Sequence, residues 1–406
     1  MNFLSRLSYF LMLSVLVSCS GVKKVPFENY VDTSSKKIKY QNKQAYTTAS
    51  GVSASNQFDG ARLNGFTQLN DSTFSVRITP ENVPINNSPY YSFKLWSKTP
   101  KIAHIQFEYA EGFKHRYPPK INVNGKWEVL DSTLVSVKDD ITSIKLNLSK
   151  DTTWVSAQKV VSYTDTRKWV DHTINGLSFV KLRFAGKTNL GKELPVLDIF
   201  KGEKKNKPII ILMTRQHPPE VTGFFAFQEF LSTILKENKL STEFLNTYRI
   251  LAFPIMNPDG VDLGHWRHNA NGIDLNRDWS RYNQIEVKNA ATFITKEIKS
   301  NTSKIVLGLD FHSTWYDIFY TNKKREGTTF PKFVDDWFTG LEKNVSGYKV
   351  NEASGNSTKP VSKGWFLYGH NAVGITYEIG DKTPLDEIQR IGRVSAEEMM
   401  RILIQK

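Results

Sequence analysis

Cysteine is almost absent from this chain: one residue, Cys19, in 406. A single thiol cannot staple its own fold, so stability must come from packed cores and hydrogen bonds. Long hydrophobic runs are missing too. The apolar run from Leu7 to Val17 stops short of the about 20 residues that a membrane-spanning helix needs. Internal repeats and sustained heptads are absent, which argues against solenoids and coiled coils. Acidic residues are scarce, 40 against 54 Lys and Arg, leaving a formal net charge of +14. The basic residues are scattered, and short clusters such as Lys201–Lys207 read as solvated turns, so no nucleic-acid partner is expected. A basic surface facing anionic lipid or cell-wall polymer accounts for the charge. What is present is core-forming material. With 39% hydrophobic and 12% aromatic residues, the chain can bury sizeable cores, and its length suggests two domains.

The first 19 residues read as a leader rather than fold. Arg6 supplies the positive start, and the apolar run ends in "LVSC". This is similar to the lipobox of bacterial lipoproteins, which implies lipidation of Cys19, export to the cell envelope and a membrane contact through an acyl anchor. Ser20 follows directly, so the acidic residue that holds many lipoproteins at the inner membrane is missing, and the outer membrane is the expected location. Residues 20–45 are polar and without period, and read as a tether.

From 46 to 160 the pattern alternates. Phe74, Val76 and Ile78; Tyr91, Phe93 and Leu95; Ile105, Phe107 and Tyr109; and Ile144, Leu146 and Leu148 each stand on one face of a strand. Short alternating strands separated by turns predict an antiparallel β-sandwich. From 161 to 406 the period changes. Continuous apolar strands ("KPIIILM", "RILAFPIMN", "KIVLGLDF", "AVGITYEIG") alternate with helices ("GFFAFQEFLSTILKE", "QIEVKNAATFITKEIK", "PLDEIQRIGRVSAEEMMRILIQ"). That predicts an α/β/α catalytic domain around a mixed, mostly parallel central sheet.

Functional sites in such sheets lie just past the carboxyl ends of the strands. His217 and Glu220 follow the first buried strand, His312 follows another, and Glu378 lies near the end of a late one. Two histidines and one carboxylate leave a coordination position open for water, the ligand set of a catalytic zinc site. A further carboxylate can take the proton of that water. Pro218 and Pro219 stiffen the loop between the first two ligands. Each residue also has a plain reading: a loop histidine, a helix cap, a core histidine, a buried ion-pair partner.

The segment Met256–Trp279 decides between them. "HPPE", "NPDG", "HWRHN", "GIDLNRDW", "DFHS" and "TYEIG" follow one another in this order. Together they resemble the zinc carboxypeptidase superfamily over about residues 165–406. "PINNSPYYSFKLW" resembles the N-terminal domain of cytosolic-carboxypeptidase-type members. The resemblance implies one zinc ion held by His217, Glu220 and His312, and Glu378 as the base that deprotonates the zinc-activated water. It implies Arg267 as the oxyanion arginine, Asn276 and Arg277 as the grip on a substrate's terminal carboxylate, and Asp274 as partner of the second ring nitrogen of His217. The implied activity is hydrolysis of C-terminal peptide bonds in peptides with a free carboxylate, by a monomer. Two rivals stand beside it: a related zinc amide hydrolase acting on cell-wall stem peptides or acyl-amino acids, and a non-catalytic binding protein on a peptidase scaffold.

The chain departs from digestive members at several points. The position of their mobile tyrosine, counted back without gaps from Glu378, falls on Asn356, with Tyr368 nearer. Thr314 stands where they carry another tyrosine. The position that sets side-chain preference falls on Lys363, which would favour an acidic C-terminal residue. His265, His268 and His370 are expected to be structural or to line the cleft, and the N-terminal domain to serve packing.

Overall fold

The computed structural model describes residues 22–405, so the leader and Cys19 lie outside the described residues. Among those residues no helix is long and apolar enough to cross a membrane.

The N-terminal half holds two sheets. One has six strands in the order Ala45–Thr47, Val52–Ser55, Ser92–Ser97, Thr153–Ser156, Lys120–Val123 and Lys126–Val129. The other has five, in the order Gly65–Gln68, Thr73–Ile78, Lys101–Tyr109, Ile141–Leu148 and Val135–Lys138. Alternate side chains of both enter one apolar core, including Phe74, Val76, Ile105, Phe107 and Leu146 from one sheet and Val52, Phe93, Leu95 and Val155 from the other. This is the period-two burial that the alternation predicts. The expectation of a wholly antiparallel arrangement needs correction. Thr73–Ile78 runs parallel to Lys101–Tyr109, because the intervening Ser92–Ser97 strand belongs to the other sheet and the chain crosses over to return.

The C-terminal half is built on an eight-stranded sheet in the order Val180–Lys187, Glu193–Ile199, Arg249–Phe253, Ile209–Thr214, Ile305–Thr314, Val373–Gly380, Ile318–Thr321 and Glu352–Ala353. The four strands from Arg249–Phe253 to Val373–Gly380 are mutually parallel. The antiparallel strands flank them. Both faces are covered. Ile210, Leu212, Leu309, Phe311 and Ile375 pack with helices Val221–Ile234, Lys239–Thr247, Phe333–Asn344 and Leu385–Ile404. Ile209, Ile211, Leu251 and Phe253 pack on the other side with Ile285–Asn301 and Ser362–His370. Burial on both faces explains why these strands read as unbroken apolar runs.

Residues 22–45, expected as a tether, lie extended along the C-terminal half. Val25 and Thr33 are buried. Backbone groups of Lys23, Val25 and Thr33 accept hydrogen bonds from Tyr282, Ser280 and Gln284, and the Thr33 hydroxyl bonds Asp278. Specific partners more than 200 positions away hold the segment, and low hydropathy gave no hint of them.

Candidate metal centre and substrate pocket

His217 and Glu220 sit on the loop that leaves Ile209–Thr214. The loop turns sharply at Arg215, whose φ is 57°. The buried guanidinium of Arg215 then donates to the carbonyls of Pro218 (2.8 Å) and Val161 (3.2 Å), fixing the path. His312 lies on Ile305–Thr314 and is the register partner of Glu378 on the neighbouring parallel strand, so both side chains leave the sheet on one face. Helix Val221–Ile234 starts close against that strand. A Cβ on Gly223 would stand 2.2 Å from the carbonyl oxygen of His312, so only glycine permits the approach.

One ligand atom each from His217, Glu220 and His312 lies within 4.8 Å of the others. The two Nδ1 atoms are 3.1 Å apart. Glu220 Oε1 is 2.8 Å from His217 Nδ1, and Oε2 is 2.6 Å from His312 Nδ1. The Nε2 atoms face carboxylates, Asp274 Oδ1 at 2.9 Å for His217 and Asp310 Oδ2 at 2.8 Å for His312. If both Nε2 atoms carry their protons toward these carboxylates, both Nδ1 atoms and the Glu220 oxygens are acceptors crowded together. A positive charge has to sit among them. In the metal-free protein a proton on His312 serves: burial lowers its pKa, but Asp310 and Glu220 more than offset this and hold it well above the ordinary value. A tetrahedral zinc ion with bonds of about 2.0–2.1 Å would place neighbouring nitrogens about 3.3 Å apart, close to the spacing seen here. The donor set fits that ion.

Around the cluster lies a cavity of about 490 Å³, lined by Arg267, Asn276, Arg277, Tyr320, Lys363 and Glu378 as well as the three ligands. Glu378 is half-buried, and its Oε2 is shielded from solvent without a hydrogen-bond partner. Burial and the charge of Glu220 push its carboxyl up to about 7. Arg267 Nε bonds Asp274 Oδ2 at 2.7 Å. Asp274 thus joins His217 to the arginine. Burial raises its pKa, but Arg267, His217 and Arg277 outweigh that and hold it well below the carboxylate range. Asn276 Nδ2 lies 3.3 Å from His312 Nε2, and its Oδ1 accepts from the Ser362 backbone. Arg277 Nη1 donates to the Asn276 carbonyl at 2.6 Å and lies 3.8 Å from Asp274.

Lys363 is 1% exposed. Helix Ser362–His370 presses on the sheet so closely that a Cβ on Gly374 would meet the Lys363 carbonyl at 2.1 Å. The ammonium donates to Thr321 O and Ser357 Oγ, each at 3.0 Å. Burial lowers its pKa to about 8. Asn356 lines the cavity. Tyr368 is not among the lining residues; its ring packs on Phe27 and its hydroxyl bonds Ser357 O. His265 and His268 do not line the cavity either. They are buried against the N-terminal half, where His268 Nδ1 lies 2.6 Å from Asn82 Oδ1. His370 packs on Trp365.

Four side chains and one short segment escaped the sequence reading. Asp310 stands two residues before His312 and therefore on the same strand face, a period-two signal that was available. Tyr320 lines the cavity from a short strand. Arg116 comes from the N-terminal half. It pairs with Asp381 at 2.7 Å, donates to Ser88 Oγ at 2.8 Å and lies against the rings of Tyr117 and Trp315. Asn86, Asn87 and Ser88 line the same cavity, and they fall inside "PINNSPYYSFKLW". Glu81 acts on the Arg267 loop, as described below.

The family model described as zinc carboxypeptidase matches residues 167–397, more than half of the chain. Cytosolic carboxypeptidase 2 of Danio rerio is 31% identical over 107 residues, covering 25% of this chain and 15% of that protein. The match thus spans a small part of that relative. A metallo-carboxypeptidase from Burkholderia cenocepacia has a similar fold, with a TM-score of 0.73 at 14% identity, covering 87% of this chain and 99% of that one. A metallo-carboxypeptidase from Pseudomonas aeruginosa, solved with (2-guanidinoethylmercapto)succinic acid, gives 0.71 at 16%, covering 86% and 98%. At these identities the likeness speaks for the fold.

Proposed function

Since the chain belongs to the zinc carboxypeptidase family, we propose that it is a zinc-dependent metallocarboxypeptidase that removes C-terminal residues from peptides. The observation that carries this reading is the convergence of His217 Nδ1, His312 Nδ1 and the Glu220 carboxylate in one cavity with Glu378, Arg267 and Arg277. A zinc ion held by the first three supplies Lewis acidity, lowering the pKa of water and polarising a carbonyl.

The chain's own groups do the rest. Arg277, with Asn276, receives the substrate's terminal carboxylate, for which a planar guanidinium is suited. Arg267 donates toward the oxygen on which charge develops at the scissile carbonyl. Glu378 accepts a proton from the attacking water and returns it to the leaving amine. Its carboxyl, raised to about 7 by burial and Glu220, is matched to both tasks near neutrality. Asp274 and Asp310 orient the two imidazoles through their Nε2 atoms, which leaves Nδ1 of each turned toward Glu220, where it would be free to hold a metal. Lys363, whose ammonium donates to the Thr321 carbonyl, Asn322 Oδ1 and Ser357 Oγ rather than to a carboxylate, supports a preference for an acidic C-terminal residue.

The test is a panel of peptides with free and with amidated C-termini, incubated with zinc-loaded protein. Release of the last amino acid from the free peptides alone is expected. Failure to cut any peptide would refute the reading. We also read the two N-terminal sheets as a sandwich domain, the chain as a monomer, and Cys19 as the lipid attachment point that holds it at the outer membrane. Labelling with a fatty-acid probe should mark the native protein and not Cys19→Ala; equal labelling of both would sink that placement.

A further inference from the structure

The loop that carries Arg267 is held by a carboxylate from the other half of the molecule. Glu81 is 0% exposed. Its Oε2 accepts the backbone N–H of Trp266 at 2.8 Å, and its Oε1 accepts those of Arg267 at 3.0 Å and His268 at 2.8 Å. Three consecutive amides thus converge on one side chain 186 positions away from Arg267. The loop has no helix or strand to satisfy these donors, and unpaired buried amides are costly. Neighbouring contacts seat the same loop. Trp266 is buried in the core of the N-terminal sheets, edge-on to Phe113 at 5.0 Å. Arg62 Nε donates to Gly264 O at 2.7 Å.

We propose that Glu81 is a positioning residue for catalysis: by holding the main chain of residues 266–268 it aims the Arg267 guanidinium into the cavity. Arg267 has one further anchor, the bond from Nε to Asp274. Asp274 fixes the tip of the side chain and Glu81 fixes its root, and both are needed to place a guanidinium to within the tolerance that transition-state contacts demand. Burial raises the pKa of Glu81, but His265, Arg62 and His268 outweigh this and bring it to about 2. It therefore stays an acceptor at every working pH. The N-terminal half is then part of the catalytic apparatus rather than a packing aid. The inference rests on the reading of Arg267 as the oxyanion donor.

The experiment is a double-mutant cycle on zinc-loaded full-length protein. Glu81→Gln keeps the shape but turns one acceptor end into a donor facing N–H groups. It should lower kcat on a peptide substrate about 100-fold, with little change in KM and unchanged bound zinc. Arg267→Ala should cost at least as much. Combining the two should cost no more than Arg267→Ala alone, because Glu81 acts through that residue. Gln158→Ala is the control for a loosened contact between the halves, since Gln158 donates to Asp381 O at 3.3 Å, away from the Arg267 loop. It should change kcat less than threefold. Additive losses in the cycle, or a Gln158→Ala loss equal to that of Glu81→Gln, would overturn the proposal. If Arg267→Ala has no effect on a native enzyme that cuts peptides, the role assigned to Arg267 falls and the proposal with it.

Discussion

Two clusters of buried charge stand at opposite ends of the parallel strands. At the amino-terminal end, Arg249 is sequestered with Asp198, Glu297, Arg183 and Lys204. At the carboxyl-terminal end lie His217, Glu220, His312, Asp310, Asp274, Glu378 and Arg267. Both are buried and ionic, yet they differ in how their acceptors are matched. In the first, all four carboxylate oxygens of Asp198 and Glu297 have a cation within 3.0 Å. In the second, Glu378 Oε2 and Asp310 Oδ1 are buried without a hydrogen-bond partner. A network whose acceptors are all matched, even with Arg249 Nη1 left unpaired, holds strands and helices together; one with unmatched acceptors keeps capacity for water, metal and substrate. Burial of charge alone therefore does not mark a site. Unmatched acceptors beside converging ligand atoms do.

The comparison breaks most visibly at Glu378. Glu378→Gln should reduce kcat about 10²–10⁴-fold while bound zinc, read by elemental analysis, stays at one ion per chain. In the native enzyme kcat/KM should fall as pH drops through a midpoint at or below about 7, because the carboxylate is the active form and burial with Glu220 raises its pKa to about 7. The bound cation moves that midpoint downward. An acid limb unchanged by the choice of metal would separate Glu378 from the reaction.

Metal removal comes next. With free zinc at 1,000 times its Kd, chelation should lower unfolding stability by about 4 kcal/mol, seen as a drop in melting temperature. Zinc uptake should release protons, since Asp310 and Glu220 hold the pKa of His312 well above its ordinary value. A melting curve indifferent to chelator would contradict the reading of the unmatched cluster. The matched cluster behaves oppositely. Arg249→Met should cost about 3 kcal/mol in denaturant unfolding and leave kcat/KM per folded molecule unchanged.

The smallest effect is at Lys363. Lys363→Met should reduce the preference for a C-terminal glutamate over glutamine about tenfold, about 1.4 kcal/mol. The native preference should fade as pH rises through about 8, where the ammonium loses its proton. Stability carries the same signature with a definite sign. The folded pKa lies below the ordinary lysine value, so between the two the unfolded chain binds more protons and stability rises with pH. A preference that is flat across this window would remove Lys363 from specificity.

The parallel strands, the helices covering them and the alternating strands of the N-terminal half could be read because each pattern repeats within a few residues. The flanking antiparallel strands Val180–Lys187 and Glu193–Ile199 went unread. Val180–Lys187 is largely half-exposed, a pattern no stronger than that of a loop, and Glu193–Ile199 is buried but its apolar run is broken by Pro195 and Asp198. The segment 22–45 was misread for a related reason: its partners are single side chains far along the chain, and polarity looks the same in a tether and in a docked strand.

The sequence by itself singled out the residues proposed as metal ligands, arginines and base, because ligand chemistry restricts residue type and the loops that bear them are short and locally ordered. Tertiary structure alone decided that Glu81 grips the Arg267 loop, that Arg116 and Asn86–Ser88 complete the cavity wall, and which buried carboxylates are left unmatched. The reason is physical. A hydrogen bond between residues nearly two hundred positions apart depends on how two cores dock, and docking leaves no short-range trace in the order of amino acids.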